Sequence, residues 1–182
     1  DDVINDVFHG FGDRGRLPRD DRGRLDWTHR GPNRDLQFAC RVNRHHFLKT
    51  LLSAYETTGE PRYLRRLDEN LRDWLLAADG HPAPQGFGPG QLEAALRMPV
   101  WTTIFFRLQD ESELRPATRL LLLAAIPAHA KYLRETVRRR HNFATMQMGG
   151  LGTLGLAFTE FQQADRWWDF ARDVMVQEVR DQ

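Results

Sequence analysis

From about residue 36 onward, apolar positions in this chain recur at spacings of three and four; before that they hardly recur at all. Leu48, Leu51, Leu52 and Tyr55 are separated by three, one and three residues, which lays them on one face of a helix. The pattern predicts a first helix over about 36–57. Thr57-Thr58-Gly59-Glu60-Pro61 reads as a turn, with Pro61 in the first turn of a second helix. Tyr63, Leu64, Leu67, Leu71, Trp74 and Leu75 form that helix's stripe. Residues 79–90 hold Gly80, Gly86, Gly88 and Gly90 with Pro82, Pro84 and Pro89, a long loop of the kind that often carries function. A third helix is predicted over about 91–108, kinked or interrupted at Pro99, and a fourth over about 116–138, bent by Pro127 near Leu123. A fifth runs over about 142–158. The sixth covers about 164–180 and carries Trp167, Ala171, Val174, Met175 and Glu178 at helical spacing.

Residues 1–34 are rich in Asp, Arg, Gly and Pro and read as a loop-rich arm, with at most one short helix near Val3 to Phe8. No strand signal of any strength is present. The expected fold class is therefore all-α, six helices in three antiparallel pairs, the material of bundles, solenoids and α/α toroids. No sequence repeat links the pairs, which counts against a regular repeat array. Val174 to Gln182 reads as a helix without a closing cap, so the chain is expected to be part of something longer.

Composition narrows the partners more than the fold. A chain of 182 residues suffices for one domain with a sizeable core. The formal net charge of +1 gives no global field to draw in nucleic acid, and no nucleic-acid motif or phosphate-cradling loop is present. Of the 26 basic residues only Lys49 and Lys131 are lysines. Arginine's planar fork suits carboxylates and sulfates, although GC-rich coding produces the same bias. Cys40 stands alone, so neither an intrachain disulfide nor a cysteine metal site is expected. His45 and His46 are adjacent, and adjacent residues point apart on a helix, so no metal site or cofactor is predicted. No run of about 20 apolar residues offers a membrane span, and no signal peptide is visible.

The segment richest in chemistry is Arg140-His141-Asn142-Phe143-Ala144-Thr145-Met146-Gln147, running into Met148-Gly149-Gly150-Leu151. It sets an imidazole and two amides at the mouth of an apolar helix. Burying such groups is costly unless they are paired or used. Further polar residues mark the other helices. They are Asn43-Arg44-His45-His46-Phe47 on the first, Asp73-Trp74-Leu75 on the second, and Leu92-Glu93-Ala94-Ala95-Leu96-Arg97 with Trp101 on the third. His129-Ala130-Lys131-Tyr132-Leu133 lies on the fourth, and Phe158-Thr159-Glu160-Phe161 and Trp167 come later.

In order and spacing these motifs resemble the helical domain of the heparinase II/III family of polysaccharide lyases, over roughly residues 27–182. The resemblance implies an incomplete α/α toroid over 35–182, followed in the family by an antiparallel β-sandwich that these residues do not include. It implies β-elimination at uronic acid residues of acidic polysaccharides such as heparan sulfate or alginate, and a periplasmic or secreted location. The family's tyrosine acid/base, placed after an Asp-Gly turn, and its second-domain histidine fall outside these residues.

In β-elimination the uronate carboxylate leaves the C5 proton weakly acidic, so a preorganised donor must neutralise it. Asn142 matches the family's asparagine in this role, and Asn is also a good helix N-cap; the two roles are compatible. His141 precedes the asparagine where some relatives have a histidine after it. Gln147 stands where many carry a glutamate. Substrate-facing candidates are Asn43, Arg44, His46, Arg97, Trp101, His141 and Gln147. Asn43 and His46 are three apart and share a helix face. Arg97 either forks onto a substrate anion or pairs with Glu93 four residues earlier. Trp101 offers a stacking face or joins the core. Arg44 has a neighbouring acid as an alternative partner, and Gln147 a buried hydrogen-bonding role. Two other functions compete. An α/α-toroid glycoside hydrolase needs two carboxylates on one cleft, with Glu56, Asp73, Glu93 and Glu160 available. A non-catalytic glycan- or protein-binding module needs none.

Overall fold

A computed structural model describes residues 1–88 and 90–181. The N-terminal arm forms a 3-10 turn over Val3–Asn5 and a short antiparallel hairpin, β1 (Val7–His9) on β2 (Arg14–Arg16), with Phe8 opposite Gly15. The sequence led us to expect no strand. These strands are three residues long, and Arg14-Gly15-Arg16 has no apolar alternation to reveal one. Phe8, Leu17, Leu25 and Trp27 fix the arm by burial against the helices.

Among the described residues the helices are α1 (Leu36–Asn43), α2 (His46–Thr58), α3 (Pro61–Ala78), α4 (Gln91–Arg107), α5 (Pro116–Glu135), α6 (Asn142–Ala157) and α7 (Ala164–Arg180). Pro61 and Pro116 open α3 and α5, where a missing N–H costs nothing. The predicted first helix is broken at Arg44-His45, with His45 at φ 64°. The cause is tertiary. The guanidinium of Arg97 takes the Asn43 carbonyl, at 2.7 Å, which a continuous helix would give to Phe47. The fourth helix ends at Glu135 rather than near residue 138, because the Gln147 side chain donates to the Thr136 carbonyl at 3.0 Å.

The helices form two layers. α2, α4 and α6 pack side by side, while α3, α5 and α7 back them, each against its hairpin partner. α6 is apolar nearly all round because α4, α5 and α7 cover it. Gly150 lets it approach α4: a Cβ there would lie 2.6 Å from the Ala95 carbonyl oxygen. Since successive helices run antiparallel, one end of the arc gathers the starts of α2, α4 and α6 with the ends of α3, α5 and α7. Loop residues 79–88 and the turn at 136–141 sit at that end; Pro89 of the expected loop lies outside the described residues.

Candidate functional site at one end of the helical arc

The turn at 136–141 delivers Asn142, and side chains from two helices brace it. From α6, Gln147 is fully buried; its Oε1 accepts the Arg138 N–H and its Nε2 donates to the Thr136 carbonyl, both at 3.0 Å. From α7, the Glu178 carboxylate accepts the Arg140 N–H at 2.8 Å. Arg140 sits at φ 58°, a conformation unusual for a non-glycine residue. His141 then caps α6, its Nδ1 accepting the Phe143 N–H at 3.1 Å. The imidazole, not the neighbouring amide, is thus the cap. Asn142 occupies the first helical position, exposed, with no hydrogen bond to another described residue. It lines a groove of about 320 Å³ with Arg140, His141, Thr145, Glu178 and Asp181. The positive end of the α6 dipole and the Arg140 side chain meet this groove from one side, and the Glu178 and Asp181 carboxylates at the negative end of α7 meet it from the other.

A separate, dense polar core joins α1, α3, α4 and α5. The Asn43 amide donates to the Trp27 and Ala39 carbonyls, both at 2.9 Å, and its oxygen accepts from Trp74 Nε1 at 2.7 Å. Arg44 pairs with Glu93 at 3.0 Å, so the acid four residues before Arg97 is already engaged. Glu93 also accepts the Gly90 N–H at 3.0 Å and closes the start of α4. Gly90 must be glycine: its φ is 90° and a Cβ would meet that of Ala83 at 2.2 Å. Arg97 donates to the Asn43 carbonyl and, on the loop at 79–90, to the Pro82 carbonyl. Its guanidinium lies 4.4 Å from the Trp74 ring centroid. Trp101 is fully buried and donates to His45 Nδ1 at 2.9 Å. His129, marked on the fourth helix by the sequence but given no site role there, lies beside Arg97 Nη2 at 3.3 Å. A lone histidine on an apolar helix gives no signal of that placement.

The structure thus separates the residues picked from sequence. Asn142 and His141 share the exposed groove, with Gln147 buried directly beneath. Asn43, Arg97 and Trp101 are buried inside the arc and contact protein; Arg44 is nearly so. Half-buried His46 lines a different cavity, of about 400 Å³, between the arm and α2 with Arg41, Phe47 and Thr50. Burial, then the Arg41, Arg44 and Lys49 charges, lower its pKa. The Asn142 groove is lined by α6, α7 and the turn, not by α1, α2 or α4.

The carboxylates considered for hydrolysis are dispersed. Asp73 holds the Leu25 and Trp27 N–H groups, Glu93 holds Arg44, and Glu56 pairs with Arg107 at the end of α4. Glu160 lies beyond the end of α6, in a cavity with Phe105 and Phe161. Among the described residues no cluster of three or more His, Cys, Asp or Glu is placed to hold a metal, and no helix is long and apolar enough to cross a membrane.

Comparison with known proteins matches this geometry to one family. The model of the heparinase II/III N-terminus matches residues 3–182. The heparin-sulfate lyase of Bacteroides thetaiotaomicron is 20% identical over 166 residues, covering 88% of this chain and 23% of that protein. The crystal structure of heparan sulfate lyase HepC from Pedobacter heparinus superposes with a TM-score of 0.84 at 19% identity, covering 99% of this chain and 28% of that one. A crystal structure of heparinase III gives 0.79 at 17% identity, with the same two coverages. The likeness shows the fold, antiparallel helical hairpins forming part of an α/α toroid. The chain spans about a quarter of the length of these relatives.

Proposed function

The chain belongs to the heparinase II/III family, and from that premise we propose that it forms part of a polysaccharide lyase acting on uronic acid-containing acidic polysaccharides. The reaction is β-elimination. The C5 proton of the uronate is removed, its electron pair forms the C4=C5 double bond, and the bond from C4 to the linking oxygen breaks with the 4-linked sugar leaving. Negative charge moves into the carboxylate as the proton departs. A neutral amide donor already in place stabilises that charge without having to reorganise.

In this reading Asn142 supplies the donor. The observation that carries it is the exposed amide at the first position of α6, free of described partners and set at the positive end of that helix's dipole. His141 and Arg140 flank the substrate carboxylate. Asn43, Arg44, Arg97 and Trp101 serve the buried polar core rather than the groove, and Gln147 fixes the turn from below. Substrate classes named for the relatives, heparin and heparan sulfate, are the first to try.

The test is to give the full-length protein heparan sulfate, chondroitin, hyaluronan and alginate in turn and follow the ultraviolet absorbance of an unsaturated uronate. A rise with one of them is the expected outcome. New reducing ends without that absorbance would mean hydrolysis and overturn the reading.

A further inference from the structure

Glu178 has no place in the chemistry just described, and its location is unusual on two counts. It lies in the last turn of α7, where the helix dipole disfavours a negative side chain. It is also buried, at 9% exposure, a state carboxylates rarely adopt unless paired. The partner the structure provides is a backbone donor, the Arg140 N–H at 2.8 Å, rather than a guanidinium. Arg140 is the left-handed residue of the turn, and the chain from it runs directly through His141 to Asn142. The other brace, Gln147, holds Thr136 and Arg138, so it secures the first half of the turn only. The half that delivers Asn142 is secured from α7.

We propose that Glu178 is a positioning residue: by accepting the Arg140 N–H it locks the left-handed turn and thereby aims the Asn142 amide at the substrate carboxylate. The inference rests on the reading of Asn142 given above. The acceptor oxygen matters here, and the negative charge does not. In this proposal Glu178 engages the backbone of the turn and not the polysaccharide. Its effect therefore falls on turnover, because misplacing a catalytic group by about 1 Å costs up to about 100-fold in rate.

Three variants of the full-length protein test this, each compared with wild type for kcat, KM and thermal midpoint. Glu178→Ala and Glu178→Asp both withdraw the oxygen, the second while keeping the charge. In each, kcat is expected to fall about 10- to 100-fold with KM within about twofold. Glu178→Gln keeps an acceptor oxygen in place and is expected to restore kcat to within about threefold of wild type. Equal loss in the Gln and Asp variants would overturn the proposal, as would unchanged kcat in the Asp variant. A change confined to KM would overturn it too. A wild-type protein that forms no unsaturated product would instead remove the lyase reading, and this inference with it.

Discussion

A guanidinium buried without a carboxylate needs other compensation, and Arg97 shows what suffices. Two carbonyls accept from it and the Trp74 ring covers its face. Burial still lowers its pKa to about 9, which leaves it charged at neutral pH. That charge constrains its neighbours. His129 Nδ1 faces the Ala125 carbonyl at 2.9 Å, so the proton belongs on Nδ1 and the Nε2 lone pair meets Arg97. Burial first, then the Arg97 charge, pushes His129 down to about 3. His45 accepts the Trp101 N–H and is held well below its usual range by the same two causes. Both histidines fold neutral, whereas the unfolded chain protonates them below about pH 6.5. The unfolded state then binds more protons, so stability is complete above about 6.5 and is lost as pH falls from there toward 3. Two such groups are expected to remove about 2–3 kcal/mol between about pH 7.5 and 5.5. Urea unfolding at the two pH values measures this, and equal midpoints would contradict the account.

At the scale of elements, the contact between α4 and α6 depends on one missing methyl. At Gly150 the atoms in the way belong to the Ala95 backbone, which cannot swing aside as a side chain can. Gly150→Ala is expected to lose about 1–3 kcal/mol by overpacking. At Gly149, exposed and with nothing within 4 Å, the same change is expected to gain up to about 1 kcal/mol from helix propensity. Paired denaturation curves should therefore move in opposite directions. Five of the six expected helices were legible in the sequence because their stripes and prolines are local signals. The break at Arg44-His45 was not, since no glycine or proline marks it; its cause is Arg97, more than fifty residues away. The β1–β2 hairpin was equally hidden, its strands too short to show a period. Candidate chemistry was legible by residue type but not by direction. Asn142 and His141 reach the surface, whereas Asn43, Arg97 and Trp101 turn inward to one another's elements. Sequence spacing fixes which helix face a residue shares, but not whether that face meets another layer.

Across the whole molecule, the two-layered arc explains why the exposed amide and the buried polar network lie at the same end. Arg97 fastens the loop at 79–90, Glu93 closes the start of α4, and Gln147 with Glu178 shapes the turn before α6. Each of these side chains meets backbone that the helix ends leave unpaired, so the end of the arc is stiffened without using the one amide that faces out. The proposed chemistry depends on that amide. Its most direct test is the kcat/KM of the full-length protein and of its Asn142→Ala variant, followed by unsaturated-uronate absorbance on the best polysaccharide substrate, with circular dichroism confirming an unchanged fold. Removing one preorganised donor is expected to lower the rate by about 100- to 1,000-fold. A folded variant that turns over as fast as wild type would contradict the account.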